Sequence, residues 1–428
     1  MLLIKNGRVI DPSSKTDEIL DILIDDEKII KMDKNISALN SDMKIIDAAD
    51  LVVVPGLIDV HSHFRDPGFT YKEDILSGSR AAARGGYTTV VCMANTNPVV
   101  DNEETLNYIL DKAKDSKIEI LQVASVTKGL NGTKLVNMEN LKEAGAVGFS
   151  DDGKPIMNSK LVFEAMKRAK ELNVPLSFHE EDPLLIKENG INAGEVSKKF
   201  GLCGSPGEAE EAILARDLCL AYRAKAKINI QHVSSGASVK IIEFAKKYMD
   251  NVYAEVTPHH FSLTEKDVLK YGTNAKMNPP LRTEEDRISL IEGLKYGTLN
   301  IIATDHAPHA IYEKEQAFKD APSGIIGLET ALSLGITNLV RPGTLSIMEL
   351  IEKMTINPAK LYNIHRGFIK EGERADLLIF NPNEVWTVED FFSKACNSPL
   401  DPEPKFTAQL LERYWFQKWT RRRFFRLH

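Results

Sequence analysis

The chain has 428 residues, of which 43% are hydrophobic and 27% charged, a composition typical of a globular protein with a large core. Its formal net charge of −7 argues against nucleic acid as a partner, and no apolar run is long enough to span a membrane. The first residues lack a signal-peptide pattern and the four cysteines form no paired motif, so we expect a cytoplasmic location.

Residues 1–54 predict a small all-β unit, because short apolar runs alternate with turns and no helical period is present. The Asn6-Gly7 pair predicts a hairpin turn inside the run that begins at Leu2. A second turn is expected at residues 25–27, between two further apolar runs. We therefore assign residues 1–54 to the first part of a β domain.

From residue 55 to residue 355, short apolar runs alternate with longer amphipathic stretches. Runs such as 88–93 and 299–304 are apolar almost throughout, as expected for parallel strands that are buried on both faces. The predicted strands end near His61, Ala94, Ser125, Asp151, His179, His232, Thr257 and Asp305. Eight strand-then-helix units predict an α/β fold, a closed (β/α)₈ barrel of the TIM type.

After the barrel, the pattern at residues 356–400 changes from a helix to another short strand and turn. This pattern of a short apolar run followed by a turn resembles that of residues 1–54. We predict that the two ends of the chain form one small β-sandwich beside the barrel.

Eight of the ten histidines lie at or just beyond the carboxyl ends of the predicted barrel strands, the face that carries the active site in this fold. His61 and His63 end the first barrel strand. Residues i and i+2 of a strand point to the same side, so both rings can bind one metal ion. For His259, His260 and His306 we expect a structural or supporting role.

Polar residues also follow other barrel strands, namely His179, His232, Asp305 and the pair Asp151-Asp152. Nitrogen and oxygen ligands without a thiolate suit Zn²⁺, with Mn²⁺ or Co²⁺ as substitutes. The two histidines suggest a second metal, and a carboxylate of the aspartate pair is placed to bridge two cations. Two neighbouring metal ions share a hydroxide and polarise a carbonyl, which indicates hydrolysis of an amide-like bond.

Four further residues are candidates for binding the substrate: Arg65, Asn95, Asn278 and His309. An arginine side chain binds a carboxylate through two parallel hydrogen bonds, so we expect a substrate that carries a carboxylate. The alternative for Arg65 is an ion pair at the surface.

Several motifs together resemble dihydroorotases of the longer bacterial type, within the metal-dependent amidohydrolase superfamily. The resemblance extends from residue 1 to about residue 399. The motifs are His61-Ser-His-Phe-Arg-Asp-Pro-Gly, Asn95-Thr-Asn-Pro, Phe149-Ser-Asp-Asp-Gly, Thr304-Asp-His-Ala-Pro-His and Ala321-Pro-Ser-Gly.

The resemblance implies reversible interconversion of N-carbamoyl-L-aspartate and L-dihydroorotate in pyrimidine synthesis. It implies one Zn²⁺ on His61, His63 and Asp305, a second on His179 and His232, and a bridge by Asp152 and a hydroxide that attacks the ring amide. Asp151 stays open as an alternative ligand. Asp305 matches the catalytic acid and base. The implied substrate contacts are His63, Arg65, Asn95, Asn278, His309, Ser323 and Gly324.

Two other functions compete with this interpretation. Hydantoinases and allantoinases are similar cyclic amidohydrolases, but they usually carry a bridging lysine where this chain has Asp151-Asp152. A non-catalytic partner of aspartate transcarbamoylase is the third hypothesis, although such relatives have lost metal ligands that are present here. The resemblance also suggests a homodimer.

The resemblance ends before residues 401–428, which hold seven Lys/Arg, three Asp/Glu and seven aromatic residues. This atypical tail has three interpretations: an altered reading frame, a tail that docks as a helix over residues 407–418, or a basic-aromatic segment for nucleic acid or an acidic surface. In the first case the sandwich would lack strands and expose its edges.

Overall fold

The computed structural model describes residues 1–38 and 43–400, and the backbone of residues 405–414. The first strands lie before the barrel. They are β1 (Leu2–Asp11), β2 (Thr16–Asp25), β3 (Lys28–Asp33), β4 (Lys44–Asp47) and β5 (Val52–Pro55). The predicted turn between β2 and β3 is confirmed, and Asp26 and Glu27 form it with positive φ angles of 42° and 67°.

The hairpin predicted at Asn6-Gly7 is wrong, because β1 runs through both residues and the turn lies between Asp11 and Thr16. Asn6 has a φ of 60°, and the pairing register of β1 and β2 shifts there. Before this irregularity β1 pairs with β4, and after it with β5. The Asn-Gly pair therefore forms a bulge at which one strand changes partners, not a turn.

The barrel strands follow in chain order. They are β6 (Leu57–Ser62), β7 (Tyr87–Cys92), β8 (Glu119–Gln122), β9 (Leu176–Phe178), β10 (Ile228–Ile230), β11 (Val252–Val256) and β12 (Ile301–Ile302). All neighbouring pairs are parallel, in the orders β6-β7-β8 and β9-β10-β11-β12.

Single bridges join these two sheets into a ring. Phe149 occupies the fourth strand position, where it bridges Ala124 on one side and Leu176 on the other. Ser62 and His306 form a parallel bridge on the opposite side, and the amide of His63 donates to the carbonyl of His306 at 2.9 Å. The fourth predicted strand thus has a single paired residue, Phe149, which still lies between the third and fifth strands of the barrel.

Helices surround the strands and connect them. They are α1 (Ile75–Arg84), α2 (Glu103–Ala113), α3 (Met138–Glu143), α4 (Ser159–Glu171), α5 (Glu195–Lys199), α6 (Gly207–Ala224), α7 (Gly236–Lys246), α8 (Pro258–Ser262), α9 (Val268–Tyr271), α10 (Glu284–Lys295), α11 (Ile311–Lys314), α12 (Ala331–Gly335), α13 (Ile347–Met354) and α14 (Ile356–Tyr362). Side-chain caps define several starts; Asp74, for example, accepts hydrogen bonds from the first-turn amides of α1. No helix within the described residues is long and apolar enough to cross a membrane.

Both ends of the chain meet in one seven-stranded sheet. Its last strands are β13 (Leu377–Thr387) and β14 (Lys405–Tyr414), and its order is β14-β13-β5-β1-β2-β3, with β4 on β1. Side chains alternate across the sheet. Val52 and Val54 pack into the barrel core, whereas Val53 packs into a separate core of the β domain. The continuous apolar run of β5 is explained by burial on both faces.

Over residues 405–414 the tail forms a strand, not the helix that one interpretation of the sequence predicts. This segment is a strand that pairs antiparallel with β13, from Leu377 opposite Tyr414 to Thr387 opposite Lys405. The edge of β13 is therefore covered, which corrects the expectation of missing strands. Residues 401–404 and 415–428, with the basic cluster of the tail, lie outside the described residues.

Candidate active site

The carboxyl ends of the barrel strands bring six side chains into one buried cluster. Each of the six is at most 6% exposed. They are His61, His63, Asp152, His179, His232 and Asp305. They come from five separate strand ends, so the closed barrel is what assembles them.

Three of these residues could hold one metal ion. His61, His63 and Asp305 each offer a ligand atom, and these atoms lie within 4.8 Å of one another. The Oδ1 atom of Asp305 is 3.0 Å from His63 Nε2 and 3.5 Å from His61 Nε2. This is the group that the family resemblance implies for the first metal.

Asp152 lies between this group and the other two histidines. Its Oδ1 atom is 3.6 Å from His232 Nε2 and 3.7 Å from His179 Nδ1, and also 3.4 Å from His61 Nε2. Its Oδ2 atom is 3.4 Å from His63 Nε2. His61, Asp152 and His232 form a second set of candidate ligands within 4.8 Å. A carboxylate in this position can reach two cations.

The chemistry of the cluster fits a divalent cation. The buried atoms His61 Nε2 and Asp152 Oδ1 face each other without a hydrogen-bond partner among the described residues. Burial raises the pKa of Asp152 and Asp305, but the neighbouring histidines, His61 foremost, together lower it more, and both pKa values lie below the usual range. Two carboxylates and four imidazoles supply the oxygen and nitrogen ligands that suit Zn²⁺.

Asp151 points away from this cluster. Its carboxylate accepts hydrogen bonds from the amides of Val126 (2.7 Å) and Thr127 (3.0 Å), and from the Thr127 hydroxyl. Burial nevertheless raises the pKa of Asp151 to about 6. Neighbouring residues of an extended chain point to opposite sides, so only one of the two aspartates can face the barrel mouth. The structure gives that position to Asp152.

Three residues of the site have backbone angles that are uncommon outside glycine. The φ angles are 60° for Arg65, 34° for His232 and 44° for Asp305. Such conformations cost about 1–3 kcal/mol each and persist where the surroundings impose them. The strand ends are therefore bent so that these side chains turn into the barrel mouth.

Two buried glutamates orient the histidines. Glu255 on β11 places Oε2 3.0 Å from His61 Nδ1, and Glu181 places Oε2 2.9 Å from His179 Nε2. A carboxylate on one ring nitrogen fixes the tautomer and turns the other nitrogen toward the metal. The sequence analysis missed both residues. A charged side chain inside the apolar strand 252–256 was the available signal for Glu255.

The variant Glu255→Gln is expected to weaken metal binding by about 10–100-fold, because the amide holds the His61 ring less well than the carboxylate. Competition with a chromophoric chelator measures this affinity. Glu329→Gln is a matched control, since Glu329 is a buried glutamate whose bonds within the described residues go to backbone amides and an arginine. Unchanged affinity in Glu255→Gln would contradict the orienting role.

A cavity of about 200 Å³ opens above the cluster. It brings together five of the six metal-ligand candidates and most of the predicted substrate contacts. The predicted residues that line it are His63, Arg65, Asn95, Asp152, His179, His232, Asn278, Asp305, His309 and Ser323. His61 lies below it. Gly324 does not line the cavity but packs on His309, where an added Cβ would lie 2.6 Å from the ring.

The predicted substrate contacts are themselves held in place. Asn95 bonds His63 Nδ1 at 2.9 Å through Oδ1, and donates to Asp152 Oδ2 at 3.1 Å. The Nε2–H of His309 donates to the carbonyl of Ser323 at 2.9 Å. Burial, with the positive charge of Arg65 and further lysines, lowers the pKa of His309 far below its usual range. His309 is thus a neutral imidazole.

The remaining histidines of the barrel mouth, His259, His260 and His306, do not line the cavity. His260 bonds the hydroxyl of Thr257 at 2.8 Å and the carbonyl of Pro279 at 3.0 Å. His306 approaches Glu73 at 3.5 Å. Both arrangements fit the supporting role that the sequence predicts for His260 and His306. His259 lies beside His260 and is equally buried.

Known proteins resemble this chain along most of its length. A family model described as dihydro-orotase-like matches residues 50–238. The dihydroorotases of Clostridium acetobutylicum and Clostridioides difficile are each 61% identical to it, covering 94% of the chain and 95% of each relative. The dihydroorotase of Streptococcus pneumoniae is 53% identical over 402 residues, with the same coverage.

Solved structures resemble the whole fold. An L-hydantoinase (dihydropyrimidinase) from Arthrobacter aurescens matches with a TM-score of 0.86 and 26% identity, over 96% of this chain and 93% of that one. A dihydropyrimidinase from Brevibacillus agri matches with a TM-score of 0.82 and 23% identity, over 95% and 92%. The predicted fold class, a (β/α)₈ barrel with an added β domain, is confirmed.

Proposed function

The chain belongs to the dihydroorotase family, and we propose that the cavity at the barrel mouth is its active site. The enzyme is a cyclic amide hydrolase that interconverts N-carbamoyl-L-aspartate and L-dihydroorotate in pyrimidine biosynthesis. The observation that carries the proposal is the buried set of two aspartates and four histidines beneath a cavity that also contains an arginine.

The metal requirement is part of the proposal. His61, His63 and Asp305 would hold one Zn²⁺, His179 and His232 would hold a second, and Asp152 would contact both. The unpartnered His61 Nε2 and Asp152 Oδ1 atoms support this assignment, because a cation between them satisfies both. When bound, such cations polarise the amide carbonyl of the substrate and lower the pKa of a coordinated water.

Asp305 is the proposed acid and base. In the hydrolytic direction, water adds to the ring carbonyl of dihydroorotate and the bond from that carbon to the ring nitrogen breaks. Asp305 accepts the proton of the water and delivers it to the departing nitrogen. The lowered pKa of Asp305 keeps its carboxylate ionised, which is the form that can accept a proton. The ring closure reverses the same steps.

The substrate carboxylate is assigned to Arg65, Asn95 and His309. Arg65 supplies a fixed positive charge, and Asn95 supplies an amide donor. His309 lines the same part of the cavity; as a neutral imidazole it has a single N–H, at Nε2, which donates to the carbonyl of Ser323. Asn278, Ser323 and Gly324 are the proposed contacts to the ring.

The variant Arg65→Met is expected to raise KM for L-dihydroorotate by about 100-fold, because a charged hydrogen-bonded partner of the carboxylate is removed. Steady-state kinetics measure the change. Arg216→Met removes a partly buried arginine that pairs with Asp217 on α6, away from the cavity, and serves as control. A KM that stays at the parent value would exclude Arg65 from carboxylate binding.

The alternative functions are less well supported. Relatives at 50–61% identity are dihydroorotases, whereas the hydantoinases share the fold at 22–26% identity. A non-catalytic partner of aspartate transcarbamoylase is disfavoured because all six ligand positions are filled by metal-binding side chains. The family resemblance still predicts a homodimer or an association with aspartate transcarbamoylase. Sedimentation of the purified chain, alone and mixed with that enzyme, tests the two.

A cytoplasmic location is also proposed. All four cysteines lie in the described part of the chain, and none of them forms a disulfide bond there. Burial raises the pKa of the Cys92 thiol, which makes it unreactive. These features fit a reducing compartment.

Turnover of L-dihydroorotate by the purified, zinc-loaded chain tests the proposed function, with hydantoin and allantoin as control substrates. We expect turnover of dihydroorotate alone. A folded, metal-loaded chain that acts on a control substrate but not on dihydroorotate would overturn the proposal. Loss of turnover on chelation and its return with Zn²⁺ test the metal requirement separately.

A further inference from the structure

Two buried lysines bind the backbone of the loop that carries Ser323 and Gly324. This loop, residues 318–324, has no regular secondary structure. Five of its carbonyl groups accept hydrogen bonds from ammonium groups. Lys276 Nζ donates to the carbonyls of Phe318 (2.6 Å), Lys319 (3.1 Å) and Ala321 (2.6 Å), and Lys314 Nζ to those of Pro322 (2.9 Å) and Gly324 (3.1 Å).

Asn397 fastens the same loop from the other side. Its Nδ2 group donates to the carbonyls of Gly324 at 2.9 Å and Ala307 at 3.0 Å. Its Oδ1 atom accepts from the amide of His309 at 3.0 Å. Asn397 is only 2% exposed. One side chain from the C-terminal segment therefore joins the backbone at His309 to the backbone at Gly324.

These contacts surround a tightly packed point of the site. Gly324 has a φ of 158°, and a Cβ built on it would lie 2.5 Å from the carbonyl oxygen of Ala307. The ring of His309 in turn donates to the carbonyl of Ser323. A shift of the loop is thus transmitted directly to His309.

The two ammonium groups are costly to bury. Burial lowers the pKa of Lys314 to about 7, with the charge of Lys276 adding to the effect, and burial also lowers the pKa of Lys276. The five carbonyl partners offset this cost, because they replace the water that an ammonium group loses. Neither lysine lines the cavity, and nor does Asn397.

We propose that Lys314 and Asn397, assisted by Lys276, are positioning residues for substrate binding. They hold the Ser323-Gly324 backbone and His309 where the ring and the carboxylate of the substrate are bound. They touch neither the metal ligands nor the reacting bond, so their effect is on affinity for the substrate. This inference rests on the proposed function of the same cavity.

The variant Lys314→Met tests the inference in the zinc-loaded enzyme. We expect KM for L-dihydroorotate to rise about tenfold or more, since small misplacements of binding groups have effects of this size. We expect kcat to change by less than about threefold, because these contacts act alike in the ground state and the transition state. Metal content, measured by atomic emission, should equal that of the parent.

The variant Asn397→Asp is a second, independent test of the inference. It keeps the size of the side chain and removes both donors to the carbonyls of Ala307 and Gly324. The same split between KM and kcat is expected. If Lys314→Met is not recovered as a folded protein, Asn397→Asp alone tests the inference.

Lys246→Met is the matched control. Lys246 ends α7 and donates to the carbonyls of Thr298 at 2.7 Å and Gly297 at 3.4 Å, in the loop that precedes β12. Burial lowers its pKa to about 8, so it resembles Lys314 in both respects. It lies at the amino end of a barrel strand, away from the cavity. We expect lower thermal stability and an unchanged KM.

The inference is overturned if the folded variants keep the parent KM, or if Lys246→Met raises KM as much as Lys314→Met. A fall in kcat with loss of metal would also overturn it, because the residues would then support the metal centre. These outcomes require a parent chain that turns over dihydroorotate. Failure of the parent chain would instead overturn the proposed function.

Discussion

Replacing Asp305 by Asn or Ala should lower kcat for dihydroorotate hydrolysis by at least about 10³-fold, since proton transfer by a positioned group contributes roughly 10²–10⁴-fold and a metal ligand is weakened as well. The substitution removes the group that we propose carries the proton to the ring nitrogen. The fold should persist, because Asp305 is at the end of a strand and its partners are His61 and His63.

Steady-state kinetics and circular dichroism of the Asp305 variants check this result together. Asp217→Asn is a suitable control, since Asp217 is a buried aspartate on α6 that pairs with Arg216 instead of a histidine. A folded Asp305→Ala protein with turnover within tenfold of the parent would show that another group moves the proton.

The variant Asp152→Asn should lose at least one of the two proposed metal ions and lower turnover by at least about 10³-fold, because the carboxylate proposed to contact both ions becomes a neutral amide. Asp152 Oδ1 and Oδ2 face different histidines, which is why one substitution affects both positions. Metal analysis after dialysis gives the stoichiometry, and kinetics give the loss of turnover.

The neighbouring residue supplies the control for this experiment. Asp151→Asn changes an equally buried aspartate that bonds Val126 and Thr127. It should lower the free energy of unfolding, yet keep the parent metal content. If instead Asp151→Asn loses metal and Asp152→Asn retains two ions, the assignment of the bridging ligand is reversed.

The sequence was sufficient for the class of fold because its signal is local. Each strand-then-helix unit shows its own period, and the buried parallel strands are recognisable from apolar runs such as 88–93. The weakest unit, around Phe149, was placed correctly as the fourth strand although only one residue is paired there. By contrast, the prediction of a turn at Asn6-Gly7 was wrong, because the pairing of β1 with three other strands outweighed the local preference of these residues for a turn.

The sequence by itself determined which residue types lie at the strand ends. Because these are histidines and aspartates, it was sufficient to predict a metal-dependent hydrolase. His61 and His63 are two residues apart, and a strand points them to the same side whatever surrounds it. The family motifs, which also lie within short segments, pointed to the same reaction, and relatives of 50–61% identity agree with it.

Only the tertiary structure decided which of Asp151 and Asp152 faces the cavity, and which groups support the ligands. Glu255 meets His61 across 194 positions of sequence, and Asn397 meets His309 across 88. No short pattern encodes such pairs, because they come together only when the barrel closes and the C-terminal segment packs against its mouth. The types of the candidate ligands can be read from residues that are close in sequence. The orientation of their side chains depends on contacts between residues that are far apart in sequence.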